Sequence, residues 1–211
     1  YTGFKWIARE IRLSEGKQKY IGGGEESYGF LAEDFVRDKD SVSAISLLAE
    51  ICAWAKDKGK TLYDVLMDIY LEYGFSKEFT VNVVRPGKTG AEEIKQNVER
   101  TFAKLGLSGV STSDLTFSTL QSEWKDYQTL ETTHEDGSKT KLDMPATSNV
   151  LQWFCNDGTK VSVRPSGTEP KIKFYLEVKG DIKKASEYAA LELQGMEKIN
   201  AIKKSLGLDK D

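Results

Sequence analysis

Between Asp40 and Lys58 the apolar residues Ala44, Leu47, Leu48, Ile51 and Trp54 recur at helical spacing, with Ile45, Ala49 and Cys52 beside them. The stripe is wide, which predicts a helix buried on much of its girth, with Cys52 inert inside it. Gly59 ends this helix. Thr61 then caps a second one, with Asp64 three residues on as in a capping box, and Leu62, Leu66, Ile69 and Tyr73 form its expected core face before Gly74. From Phe75 to Val84 the pattern changes period: Phe79, Val81 and Val83 alternate as in a strand. Arg85-Pro86-Gly87 breaks it, and Thr89 with Glu92 predicts a further capped helix to Gly106. Residues 107–148 are polar and weakly periodic, and short strands and loops are expected there.

The last third is clearer. Asn149 to Cys155 and Lys160 to Arg164 flank an Asp157-Gly158 turn, a hairpin signal. From Lys171 to Val178 the chain alternates strictly, with Ile172, Phe174, Leu176 and Val178 on one face and Lys171, Lys173, Tyr175 and Glu177 on the other. That is a half-buried strand. A long helix is expected from about Asp181 to Leu206. The order suggests an α/β portion over residues 1–74 and an α+β domain over 75–211.

Composition narrows the function. The chain has 211 residues with Lys plus Arg 30 and Asp plus Glu 33, a formal net charge of −3. No general basic field exists, so a nucleic-acid partner is not expected. No apolar run approaches the ~20 residues that span a bilayer, so no membrane partner is expected either. Two cysteines make neither a disulfide framework nor a four-ligand zinc site. The one histidine, His134, excludes paired-His catalysis within this chain and is expected in an exposed loop. Trp6, Trp54, Trp124 and Trp153 read as core or interface residues. The chain starts at Tyr1 with no basic, apolar leader, and is expected to be cut from something longer, or processed.

Two loops carry chemistry. In Gly24-Glu25-Glu26-Ser27, which follows Gly22-Gly23 ahead of a helical stretch, Glu25 can accept hydrogen bonds from two vicinal sugar hydroxyls and Ser27 can add a contact. The alternative is a glycine turn with acidic residues at a helix N-terminus. In Arg164-Pro165-Ser166-Gly167-Thr168-Glu169-Pro170, Arg164 offers a planar fork, Ser166 and Thr168 offer hydroxyls, and Gly167 leaves its N–H open to an anion. The alternative is a hairpin loop with a solvated Arg. Lys171 and Lys173, on the face away from the core residues, favour the anion site.

Together these loops resemble those of the α-D-phosphohexomutases, the phosphoglucomutase/phosphomannomutase family. Thr2-Gly3-Phe4-Lys5-Trp6-Ile7, Arg37-Asp38-Lys39-Asp40 and Lys171-Ile172-Lys173-Phe174-Tyr175 are similar to further family segments, in the family's order. The resemblance implies a four-domain enzyme. Residues 1–74 would be the C-terminal part of its third, α/β domain. Residues 75–211 would be its fourth, an α+β unit resembling the TATA-binding protein. It implies that Thr2, Gly3, Lys5, Glu25, Ser27 and Lys39 face the sugar. Arg164, Ser166, Gly167, Thr168 and Lys173 would hold the substrate's phosphate. The family's phosphoserine loop and acidic Mg²⁺ loop have no counterpart here, so no catalytic residue and no metal ligand is expected in this chain. The partners implied are a hexose phosphate and the missing N-terminal domains of the same protein. Mg²⁺ and glucose 1,6-bisphosphate are the implied cofactors of the intact enzyme, and the cytoplasm its compartment. Related readings are a phosphopentomutase, a sugar-bisphosphate synthase, or a non-catalytic sugar-phosphate binding module.

Overall fold

The computed structural model describes residues 3–25, 29–84, 121–165 and 171–208. The expected helix from Thr89 to Gly106 lies outside the described residues. Two compact units divide within one helix, Tyr1–Ile69 and Tyr70–Asp211.

The first unit opens with helix α1 (Lys5–Ser14), an element not among those expected from the sequence. Its signal was short: Phe4, Ile7 and Ile11, spaced three and four apart, face one way and meet Leu31 and Tyr20 in a small cluster. Strands β1 (Gly23–Gly24) and β2 (Phe30–Leu31) follow, paired antiparallel. The glycine run therefore enters a strand pair, not a helix as expected. Helix α2 (Ser41–Asp57) begins only after β2, with Asp40 as its N-cap accepting from the Ser43 N–H at 2.7 Å. The Ser43 hydroxyl, which donates to Asp40 Oδ2, and after it that backbone bond hold the Asp40 carboxyl below its ordinary range.

Gly29 fixes how β2 meets the start of α2. Its φ is +121°, and a Cβ there would lie 2.2 Å from the Asp40 carbonyl oxygen. Only glycine admits both the conformation and the approach. The approach lets the Phe30 N–H donate to the Asp40 carbonyl at 3.3 Å.

Helix α3 (Leu62–Tyr73) carries the expected capping box. The Asp64 N–H donates to Thr61 Oγ1 at 3.2 Å, and the Thr61 N–H donates back to Asp64 Oδ2 at 2.7 Å. The expected burial of these two helices is corrected. In α2 only Ala55 is buried; Val42 is 80% exposed, Ile45 68%, and Leu48, Ile51 and Trp54 are also exposed. Cys52 is exposed too, not inside a buried stripe. In α3 Leu62, Leu66, Ile69 and Tyr73 are exposed, and Met67 is the buried residue. The periodicity was real, but among the described residues the first unit offers only a sheet of two two-residue strands to cover it.

The second unit contains a seven-stranded sheet. Its strands are β3 (Phe75–Val84), β4 (Gln121–Asp126), β5 (Glu131–His134), β6 (Lys139–Lys141), β7 (Leu151–Cys155), β8 (Lys160–Pro165) and β9 (Lys171–Gly180), in the order β3-β9-β8-β7-β4-β5-β6. Every adjacent pair is antiparallel. Helix α4 (Tyr188–Leu206) covers one face after a short 3₁₀ turn at Ala185–Glu187, so it starts later than the expected Asp181. Ile199, Ile202 and Leu206 pack with Val161, Val163, Ile172, Phe174, Leu176 and the fully buried Trp153. Each such side chain contributes about 1.5–3 kcal/mol by leaving water. Close packing is visible at Gly195, where a Cβ would lie 3.2 Å from Lys77 Cβ and 3.4 Å from Val178 Cγ2. The strict alternation read in β9 is the pattern observed: Ile172, Phe174, Leu176 and Val178 are buried and the intervening residues half-buried.

Candidate functional site

In the first unit three of the sequence-expected residues converge. The Gly3 N–H donates to Glu25 Oε1 at 3.1 Å, and the Lys39 ammonium lies 2.8 Å from Glu25 Oε2. The local fold explains the meeting. Glu25 leaves β1, Gly3 precedes α1, and the Gly29–Asp40 approach draws the residue before Asp40 alongside. The Lys39 backbone N–H donates to Asp38 Oδ1 at 2.9 Å, which orients the residue. Its ammonium also sits 5.2 Å from the centroid of Phe4, whose ring is buried. A ring face attracts a cation, so Phe4 is a second contact that steadies the lysine. Phe4 was the missed member of this cluster; an aromatic beside Gly3 was its only trace in the sequence.

Each carboxylate oxygen has two lone pairs. Gly3 and Lys39 take one on each oxygen, which leaves Glu25 one acceptor position per oxygen. Two neighbouring hydroxyls fit that pattern. The Lys39 and Glu25 side chains are 15% and 23% exposed, so the group is sheltered yet reachable. Lys5 is not brought to Glu25: it lies on the exposed side of α1 with its ammonium 5.6 Å from the Trp6 ring. Thr2 and Ser27 lie outside the described residues.

In the second unit β8 and β9 run to the two roots of the expected phosphate loop. Ser166, Gly167 and Thr168, within that loop, lie outside the described residues. Arg164 and Lys173 stand directly opposite each other across the strand pair. Below them the charges are balanced. Ser162 faces Tyr175 in the next row, and Lys160 forms an ion pair with Glu177 in the row beyond. Ser162 is held by Gln152, whose Nε2 donates to Ser162 Oγ at 2.9 Å, and the Tyr127 hydroxyl donates to Gln152 Oε1 at 2.7 Å. Arg164 and Lys173 are the cations at the loop end of this face. On its other side Lys173 faces Asn82 of β3, which is neutral. Like charges directly opposite in a sheet are unfavourable, and an anion between them reverses the sign.

Other singled-out residues stand apart from these clusters. His134 lies in β5, half-buried, and not in a loop as expected; Nδ1 is 3.7 Å from Glu123 Oε2 and Nε2 is 3.0 Å from Thr140 Oγ1. Strand pairing with β4 and β6 absorbed a residue whose polar neighbours had suggested a turn. Burial, and next the Asp157 carboxylate, push the Cys155 thiol up to about 11. Trp153 is core and Trp124 packs against it, but Trp54 is exposed. Among the described residues no group of three or more His, Cys, Asp or Glu is placed to hold a metal ion. Among them, too, no helix is long and apolar enough to cross a membrane.

Comparison with known proteins identifies the family. Residues 1–73 match the model of phosphoglucomutase/phosphomannomutase, alpha/beta/alpha domain III, and residues 126–194 match that of the C-terminal domain of the same family. The chain belongs to the phosphoglucomutase/phosphomannomutase family. It is 34% identical over 187 residues to a phosphoglucomutase of Staphylococcus haemolyticus, covering 85% of this chain and 31% of that protein. It is 36% identical over 180 residues to one of Staphylococcus aureus strain N315, covering 84% of this chain and 31% of the relative. The chain thus spans about a third of the length of these phosphoglucomutase relatives. Among solved structures, the open form of the Paramecium phosphoprotein pp63/parafusin, a phosphoglucomutase, superposes with a TM-score of 0.52 at 17% identity, over 98% of this chain and 34% of that one. That likeness concerns the fold. Within the phosphoglucomutase/phosphomannomutase family the fold is a partial α/β domain followed by the C-terminal domain with its antiparallel sheet.

Proposed function

We propose that this chain is the sugar- and phosphate-binding part of a phosphohexomutase that interconverts hexose 1-phosphate and hexose 6-phosphate. The observation that carries the reading is the pairing of Arg164 with Lys173 at the roots of the loop 166–170. Two opposed cations gain from a bound dianion, and Arg164 adds a fork that matches phosphate oxygens. On this reading Arg164, Ser166, Gly167, Thr168 and Lys173 hold the phosphate that does not react. Glu25 and Ser27 accept and donate to the sugar hydroxyls, and Thr2, Gly3, Lys5 and Lys39 line the sugar side. The exposed apolar faces of α2 and α3 fit an α/β/α domain whose sheet lies largely in other parts of the protein.

The chemistry would then be shared. Phosphoryl transfer runs between a serine of another domain and the sugar, through glucose 1,6-bisphosphate. Mg²⁺, bound on another domain, would supply charge stabilisation for the transferring group. The residues of this chain bind and orient: the hydroxyl reader and the phosphate clamp hold the sugar so that its free hydroxyl faces the donor. Chemistry of this kind rests on positioning, so loss of either cluster lowers turnover without touching the nucleophile.

The test is an assay of the full-length protein containing this chain with glucose 1-phosphate and ribose 1-phosphate side by side. Faster turnover of glucose 1-phosphate is expected, while a preference for the pentose would support a phosphopentomutase instead. The 211-residue chain by itself is expected to bind but not to turn over.

A further inference from the structure

Asp40 is held at both its side chain and its backbone. Its side chain caps α2: Oδ1 accepts the Ser43 N–H at 2.7 Å, and Oδ2 accepts the Ser43 hydroxyl. Its backbone carbonyl accepts the Phe30 N–H at 3.3 Å, which ties the same residue to β2. Strand β2 pairs in turn with β1, where Gly24 stands opposite Phe30 and Glu25 follows Gly24. Lys39 is the residue before Asp40. One residue therefore joins the backbone that carries Glu25 to the backbone that carries Lys39. Asp40 itself is exposed, and its extended backbone, φ −145° and ψ 161°, is the form an N-cap takes. Without a cap the first N–H groups of a helix lose an acceptor and the first turn loosens.

We infer that Asp40 is a positioning residue for sugar binding: by capping α2 while its carbonyl meets β2, it sets the span between the Lys39 and Glu25 backbones at which the two side chains meet. The inference rests on the reading of Glu25 and Lys39 as the sugar side. It concerns where the backbone carries Lys39, and holds whatever else touches that side chain. Capping needs an acceptor and not a charge, so asparagine serves as well as aspartate. The Ser43 hydroxyl is auxiliary, since the Ser43 N–H donates to Asp40 without it.

The experiment compares the 211-residue chain with its Asp40→Asn, Asp40→Ala, Ser43→Ala and Glu25→Ala variants. Each is titrated by NMR with glucose 1-phosphate and, separately, with inorganic phosphate. The Ser43 amide proton, read in the same samples, reports the cap. The quantity compared is the ratio of the two affinities, which cancels any change in the phosphate contacts. In wild type glucose 1-phosphate is expected to bind more tightly than phosphate, and Asp40→Asn is expected to keep that ratio. Asp40→Ala is expected to displace the Ser43 amide shift and to lower the ratio about three- to fivefold, the lower range of a lost N-cap, with phosphate affinity unchanged. Ser43→Ala is expected to show a smaller fall, and stands in for Asp40→Ala should that variant fail to fold. An unchanged ratio in Asp40→Ala, or in Ser43→Ala standing in for it, overturns the inference. So does an Asp40→Asn variant that behaves like Asp40→Ala, because charge and not capping would then be at work. If Glu25→Ala leaves the ratio at its wild-type value, the sugar reading itself fails, and the inference with it.

Discussion

The Lys39 ammonium lies 2.8 Å from Glu25 Oε2, while the Gly3 N–H donates to the other oxygen of the same carboxylate at 3.1 Å. Residues from three separate stretches of sequence thus fix one acidic group. Replacing Lys39 by Met should leave the carboxylate held at one oxygen only and weaken binding of glucose 1-phosphate by about 1 kcal/mol, the scale of a partly exposed charged contact. Affinity for inorganic phosphate should not change, because that site lies on β8 and β9. Calorimetry with both ligands checks the difference; equal losses for both would place Lys39 in the phosphate site.

Gly29 carries the approach of β2 to the start of α2. A Cβ 2.2 Å from a backbone oxygen, at φ +121°, must push the segments apart. Gly29→Ala is expected to destabilise the first unit by about 2 kcal/mol or more and to lower binding of the sugar portion with it. Denaturant unfolding followed through Trp6 and Trp54 fluorescence reads the loss.

The two cysteines should differ sharply toward a thiol reagent. Cys52 is exposed on α2, while burial pushes the Cys155 thiol up to about 11. Near pH 8 one thiol should react in the native chain and a second only in denaturant. The pH sign follows from the same shift. A thiol whose folded value is raised contributes stability fully present below its unfolded value, about 8.5. That contribution is lost as pH rises from there toward 11. Cys155→Ala should flatten that alkaline decline, measured by thermal unfolding between pH 8 and 11. Two native-reactive thiols would contradict the buried position.

At the acid end, hydrogen bonds from the Thr61 hydroxyl and backbone N–H hold the Asp64 carboxyl below its ordinary value. A depressed carboxylate stabilises above its unfolded value, about 3.9, and the gain is lost as pH falls through the folded value. Thr61→Ala should therefore lower stability at pH 7 more than at pH 2. Circular dichroism melts at the two pH values check the order.

Much of the second unit was legible because its strands and helix bury against each other within the chain. Val81, Val83, Ile172 and Phe174 alternate in sequence and are buried in the fold, since β3, β9 and α4 supply one another's partners. The capping box at Thr61 was legible for the same reason: its whole geometry is local. Burial of Ile45 or Leu66 was not, because apolar periodicity states which face seeks cover and not whether the chain provides it. In the candidate site, Glu25 and Lys39 were legible as residue types, but their contact depends on the Gly29–Asp40 approach, which no local spacing encodes. The helix α1 was missed since Phe4, Ile7 and Ile11 span too few turns to stand out from polar neighbours.

The most direct test of the binding role is titration of glucose 1-phosphate into the wild-type chain and its Arg164→Ala variant by NMR, up to millimolar ligand. The wild type is expected to show saturable shifts at residues of β8 and β9, and the variant a loss of about 2 kcal/mol in affinity, the scale of a charge-assisted hydrogen-bonded contact. Equal affinity in the two proteins, or no saturable shift in the wild type, would contradict the account.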